Sequence, residues 1–221
     1  MSEYKDAPED KIKHFVELWS RLDYYNFNTL LDVGAGECPL KFATHVIDYM
    51  KYEDRGQGQG RVGFSDRFSK ETWNQSDFFN IPWPYPDKFF DFVNCTQTLE
   101  DIRDPIGLCK EMIRVGKAGL IECPNIVSEM SALFFHHRWF VRVFEGKLQF
   151  LHKSALLNIT PEVKKDIIKL HQQRIHPNRA TTFEWKDSFE VEEVYCKDEK
   201  EYYKVIDQWV QHDLKLHGGL R

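Results

Sequence analysis

The sequence predicts an α/β fold built on a doubly wound, mostly parallel sheet with a C-terminal insertion or cap. Three observations carry this expectation. Short apolar runs alternate with helical patterns up to about residue 125, a glycine turn follows the first of those runs, and the alternation stops beyond Pro124. Strands that alternate with helices pair in parallel with both sheet faces covered, and such crossovers are right-handed. A chain of 221 residues fits one domain, 1–221. Within it, 126–181 is expected to be a substrate-binding insertion or cap, because its apolar content is too small for a separate core.

Lys11 to Tyr24 places Ile12, Phe15, Val16, Leu18, Trp19 and Leu22 at helical spacing, as an amphipathic helix covering a sheet would. Thr29 to Val33 reads as a strand ending at a Gly turn, His45 to Asp48 as a second, and Thr72 to Ser76 as a third. Between them, Tyr52 to Gly63 carries Gly at 56, 58, 60 and 63, the composition of a surface loop that can serve as a lid. The run Ile81 to Pro86 holds three prolines and excludes helix or central strand. Phe89 to Thr96 is a buried strand, Pro105 opens a helix through Arg114 that Gly116 closes, and Ala118 to Cys123 is the next strand. Beyond Pro124 the pattern gives a strand at Lys147 to Leu151, a helix capped by Thr160-Pro161 and reaching about His171, a loosely alternating strand from Phe183 to Tyr195, and a helix from Lys200 to His212.

Composition narrows the function. No apolar run approaches the ~20 residues that cross a bilayer, so no membrane span is expected. The charged start has no signal-peptide pattern, which makes the expected location cytoplasmic. Five cysteines without a C-x-x-C pair argue for buried free thiols. A formal net charge of -5 excludes general nucleic-acid binding. The charge is uneven, however: between His136 and Lys186 there are ten Lys/Arg against four acids, a net of +6, and the remainder carries -11. That asymmetry suits a region facing an anionic ligand, although scattered surface charge would give it too.

The segment Leu30-Leu-Asp-Val-Gly-Ala-Gly36 is the most informative. A strand running into Gly34-Ala35-Gly36 makes a tight turn where missing side chains let a ligand approach the backbone. Pro39 occupies the third position of a dinucleotide G-x-G-x-x-G, which argues against NAD or FAD, and no G-K-[ST] follows, which excludes a Walker loop. Asp48 ends the second strand, where an ionised carboxylate accepts from both ribose hydroxyls. Asp77-Phe78 ends the third, where the acid can accept from an adenine amino group and the ring can flank the base.

These segments, with Val46-Ile-Asp48, Ser76-Asp-Phe78, Ile81 to Val93, Asn94 to Pro105 and Glu111 to Gly116, resemble the successive motifs of class I S-adenosylmethionine-dependent methyltransferases, most closely a type 11-like bacterial subgroup. The resemblance spans about residues 29 to 124 and implies a Rossmann-like fold with S-adenosylmethionine laid across the strand ends. It implies further that Gly34, Ala35 and Gly36 approach the methionine and ribose, that Asp48 takes the ribose, and that Asp77 and Phe78 take the adenine. The backbone of Cys95, Thr96 and Gln97 would meet the methionine side, and Asp32 would orient the amino group directly or through water. The interval from Gly36 to Asp48 is shorter than the family's usual spacing, so the first crossover helix is expected to be reduced to a turn.

Methyl transfer from a sulfonium is an in-line displacement in which positioning supplies most of the acceleration. The acceptor side is expected from Asn125, at the end of the fifth strand, and from His136-His-Arg-Trp139, a run similar to one in the same bacterial subgroup. His136 or His137 would take a proton, Arg138 would hold a carboxylate or phosphate, and Trp139 would stack on a ring. The same residues are also those that pack and cap a loop. Glu100 and Asp101 offer further acids. No metal is expected, because adjacent histidines diverge on a helix or strand and no H-x-x-x-H is present. The reading is thus methyl transfer to a small, polar, anionic acceptor resembling a glycan precursor, with O-methylation preferred. The alternatives are a protein methyltransferase and a non-catalytic S-adenosylmethionine-binding regulatory module.

Overall fold

The computed structural model describes residues 26–36, 38–56, 65–76, 78–132, 134–153 and 180–216. The expected helices at 11–24 and 160–171, most of the Gly-rich loop, and Asp77 lie outside the described residues. A six-stranded sheet carries β1 (Leu30–Val33), β2 (His45–Asp48), β3 (Trp73–Gln75), β4 (Phe92–Thr96), β5 (Ala118–Pro124) and β8 (Ala180–Lys186) in the order β3-β2-β1-β4-β5-β8. All neighbours pair in parallel except β5 and β8, which are antiparallel. Leu30, Leu31 and Val33 are fully buried, as the continuous apolar run requires of a strand covered on both faces. The strand order reverses between β1 and β4, and at such a switch point the crevice at the carboxyl ends of the strands is where open α/β sheets take their ligands. The sheet is that of a Rossmann-like, doubly wound α/β fold.

Among the described residues no helix lies between β1 and β2. The crossover is instead a set of turns, with Cys38 N–H donating to Ala35 O at 3.1 Å and Ala43 N–H to Leu40 O at 3.0 Å. Helix α1 (Pro105–Val115) starts where Asp104 accepts from the Gly107 N–H at 2.8 Å and proline takes the first helical position. It buries Leu108, Cys109, Met112 and Val115 against the sheet.

The same helix holds the proline-rich segment. Buried Glu111 accepts from the Trp83 N–H at 2.7 Å and from both Nε and Nη2 of Arg114, at 3.0 and 2.5 Å. Arg114 also donates to the carbonyls of Trp83 and Tyr85 and to Asp87. A chain whose prolines lack donors is thereby fastened to a helix by one guanidinium. Its Ile81–Pro82 bond is cis.

Beyond β5, α2 (Ile126–Ala132) is followed by β6 (Trp139–Phe144) and β7 (Lys147–His152), an antiparallel pair joined at Glu145-Gly146, both with positive φ as a tight two-residue hairpin demands. β9 (Glu190–Glu193) adds in parallel to β7, forming a second, three-stranded sheet. The segment expected as one strand from Phe183 to Tyr195 is two, because the chain turns at Asp187, φ 62°, and sends β8 to the main sheet and β9 to the small one. Alternation along β6 splits its side chains between two cores. Trp139 and Val141 join the main one, while Phe140 packs with Ile126, Val127 and Met130 of α2 and with Tyr202, Ile206 and Trp209 of α3 (Glu199–Leu216). The region expected as a cap at 126–181 therefore shares its core with elements beyond it. No helix among the described residues is long and apolar enough to cross a membrane. The five cysteines are free, and Cys95, Cys109 and Cys123 are buried.

Asp213 sits on the buried side of α3 with one carboxylate oxygen unpartnered among the described residues, and burial pushes its carboxyl up to about 6 from 3.8, against the Ile126 N–H and Arg142, which lower it. A carboxyl whose folded pKa is raised binds more protons folded than unfolded, so its burden on stability appears as pH rises from about 4 to 6 and persists above. Asp213→Asn is expected to stabilise the protein at pH 7.5, by up to about 3 kcal/mol, and to leave stability at pH 3.5 unchanged. Urea melts at the two pH values check this; equal effects at both would contradict it.

Candidate functional site

The turn after β1 is held on both sides. Gly34 (φ 71°) donates its N–H to Ile47 O at 2.9 Å, and a Cβ on it would lie 2.2 Å from Thr98 Oγ1, so only glycine fits. Gly36 (φ 55°) is different: a Cβ there would meet nothing within 4 Å, and the residue lines a cavity. Asp48 accepts from the Gly36 N–H and the Met50 N–H, each at 2.7 Å, tying the turn to the end of β2. Each of its oxygens keeps a further lone pair. Asp32 lies behind the turn, 3% exposed, accepting from the Leu40 N–H and Asn94 Nδ2 at 2.8 Å each. Burial pushes its carboxyl up to about 6.

The cavity, about 420 Å³, lies at the carboxyl ends of β1, β2 and β4, within the size range of small-molecule sites. Of the residues expected at the cofactor, Gly34, Gly36, Asp48, Phe78 and Gln97 line it, and of those expected at the acceptor, Arg138 does. Phe78 (φ 63°) and Gln97 (φ 53°) are both non-glycine residues in the left-handed region, which is costly and is found where surrounding structure dictates the backbone. Asp32, Ala35, Cys95, Thr96, Asn125, His136, His137 and Trp139 do not line it. Tyr49, Phe79, Thr98, Ile102 and Arg103 do, and the sequence reading did not single them out. Their signal is positional only: Tyr49, Phe79 and Thr98 fall just beyond strand ends, while Ile102 and Arg103 reach the rim through the loop after β4.

The acceptor-side run meets this rim through the loop after β4. The Glu100 carbonyl accepts from the N–H groups of Arg138, at 2.6 Å, and Trp139, at 3.1 Å. Trp139 is 6% exposed and donates its indole N–H to Ile102 O at 2.8 Å, so it packs as core and anchors the loop. Asn125 caps α2 by accepting from the Ser128 N–H at 2.8 Å. The Glu100 carboxylate is buried, and burial, then the neighbouring Asp101 charge, pushes it up to about 7. His137 has one ring nitrogen 2.5 Å from Glu129 Oε2 and the other 3.6 Å from Asp101 Oδ1. Burial works against its protonation, but the Glu129 bond and the charges of Glu129, Asp101 and Glu100 outweigh it and raise its pKa. The second Glu129 oxygen is paired with Lys153. Asp101 lines the cavity, linking this cluster to it.

The family model described as methionine biosynthesis protein MetW matches residues 28–147. The chain belongs to the MetW family. The match runs from the approach to β1 to the start of β7, and so takes in the Gly turn, the cavity rim and the 136–139 run of this MetW-family chain. No curated protein matches it. Among solved structures it is similar to an S-adenosylmethionine-dependent methyltransferase from Archaeoglobus fulgidus, at 14% identity over 83% of this chain and 97% of that one, with a TM-score of 0.45. It is similar also to the N-methyltransferase NodS from Bradyrhizobium japonicum in complex with S-adenosyl-L-homocysteine, at 17% identity over 57% and 67%, with a TM-score of 0.40. Against the [4+2]-cyclase SpnF the identity is 21% and the TM-score 0.35, over 52% of this chain; the chain spans less than half, 44%, of that protein.

Proposed function

We propose that this MetW-family chain binds S-adenosylmethionine in the switch-point cavity and transfers its methyl group to a small anionic acceptor, with a hydroxyl oxygen as the preferred nucleophile. The observation that carries the reading is Gly36: it lines the cavity beside Asp48 with open space where a side chain would be, so that backbone and carboxylate can both reach a ribose. Phe78 and Tyr49 supply flat apolar walls for an adenine, and Gln97 and Thr98 border the methionine end. Asp32, behind the turn and bonded to the Leu40 N–H and Asn94, serves by fixing the backbone that meets the cofactor. Arg103 and Arg138 give the rim two cations for a carboxylate or phosphate on the acceptor, in keeping with the basic stretch that starts at His136.

In the transfer, the acceptor oxygen forms a bond to the methyl carbon as the carbon–sulfur bond breaks, the pair of electrons stays on sulfur, and S-adenosylhomocysteine leaves neutral at that atom. The acceptor's proton passes by way of Asp101, which lines the cavity, to His136 or His137, of which His137 is held by Glu129. Calorimetric titration of the purified chain with S-adenosylmethionine, S-adenosylhomocysteine and NAD tests the reading. Binding of the first two without NAD is the expected result, followed by label transfer from methyl-labelled cofactor to a hydroxylated sugar acid or sugar phosphate. A folded protein that binds neither sulfur cofactor overturns it.

A further inference from the structure

We infer that Asp101, His136 and His137 form a binding site for one divalent transition-metal ion of the zinc type, at the edge of the cavity. Adjacent side chains diverge on a helix or strand, but residues 136 and 137 lie in neither; they form the irregular approach to β6, and their rings meet edge to face with centroids 4.5 Å apart. One ligand atom from each of the three residues lies within 4.8 Å of the others.

Two contacts make this more than proximity. His137 Nε2 and Asp101 Oδ1 are 3.6 Å apart, too far for a hydrogen bond. Two ligands of a tetrahedral zinc, each 2.0–2.1 Å from the ion, lie ~3.3 Å from each other, so a small closure seats the ion between them. Asp101 Oδ1 is also buried and, among the described residues, has no hydrogen-bond partner, an acceptor without a donor. The other nitrogen of His137 is bonded to the buried carboxylate of Glu129, whose second oxygen holds Lys153. Metal-ligating histidines are oriented in this way, since a carboxylate that takes the far N–H fixes the tautomer and turns the near nitrogen's lone pair toward the metal.

The donor set selects the ion. Two imidazoles and one carboxylate, with no thiolate, suit zinc and its first-row neighbours over magnesium or calcium, which demand oxygen ligands. Asp101 and Glu129 balance the dication and Lys153 offsets one of them. Three protein ligands leave a fourth position, and Asp101 places it beside the cavity, where the oxygen of an acceptor can complete the shell. With the ion in place the histidines are ligands, and the proton of a bound hydroxyl leaves to solvent instead.

Zinc binding does not depend on the cofactor reading and is measured without cofactor. The full chain, carrying no histidine tag and stripped with a chelator, is titrated with zinc alone by calorimetry, then with cobalt to read the visible bands of a nitrogen- and oxygen-ligated ion. One equivalent is expected. His136→Ala, at an exposed residue that leaves the core intact, and Asp101→Asn should each weaken zinc by at least about 10-fold, and Glu129→Gln by about 10- to 100-fold. No zinc binding at micromolar concentration, or an affinity unchanged in both His136→Ala and Asp101→Asn, overturns the inference. S-adenosylmethionine titrated in parallel separates that failure from failure of the cofactor site.

Discussion

Gly36→Val is expected to lower affinity for S-adenosylmethionine about 100-fold or more, while the protein stays folded. Tenfold corresponds to 1.4 kcal/mol, so the loss is about 3 kcal/mol of binding energy. Its source is occupation of the cavity: the position of the missing Cβ is open, and two methyl groups beyond it take up space that the ribose would fill. The backbone exacts a second cost, because a β-branched residue at φ 55° loses about 1–2 kcal/mol of stability. Gly146 separates the two. It has φ 77°, its added Cβ also meets nothing within 4 Å, and it lies in the β6–β7 hairpin away from the cavity. Gly146→Val should therefore show the stability loss with wild-type cofactor affinity. Calorimetry and urea melts on the pair give four numbers; equal affinity in Gly36→Val and wild type would remove the cofactor from this cavity.

Arg114→Ala is expected to destabilise the fold by about 3 kcal/mol. Removing one partner of a largely buried pair leaves the other charge stranded, which costs about 3–5 kcal/mol where both are fully buried. Here Glu111 is 7% exposed and Arg114 26%, so the lower end applies. The same change frees the carbonyls of Trp83 and Tyr85 and loosens Trp83, which packs in the main core. Arg114→Lys should recover little, since an ammonium cannot span both Glu111 oxygens and two carbonyls as the planar fork does. Chemical denaturation of the three proteins reads this directly; a lysine variant as stable as wild type would show that charge alone holds the segment.

What could be read from the sequence follows from how local each feature is. β2 was legible to the residue because the β-branched pair Val46-Ile47 runs into a strand-end acid, Asp48, and α1 because Pro105 and Gly116 mark its ends. The reduced first crossover was legible from the short distance between Gly36 and Asp48. The small sheet was not. β9 is four residues, Glu-Val-Glu-Glu, and pairs with β7 across some forty positions, so nothing nearby announces it. The same limit applies to the cavity. Glycines and strand-end acids carry their meaning in their spacing, but Ile102 and Arg103 reach the rim only through the course of the loop after β4. Trp139 shows the converse ambiguity: an aromatic beside basic residues suits a stacking platform, yet its indole is spent on Ile102 O inside the core.

The two N–H groups at the start of β6 share one acceptor, the Glu100 carbonyl, in a loop whose next three residues line the cavity. That carbonyl therefore ties Arg138, itself on the cavity wall, to the loop residues beside it. If filling the cavity steadies residues 100–103 and thereby Arg138, affinity for the acceptor rises by some factor, and linkage requires bound acceptor to raise affinity for the cavity's ligand by that same factor. Neither ligand is then the effector of the other, and the order in which they arrive is a matter of concentration.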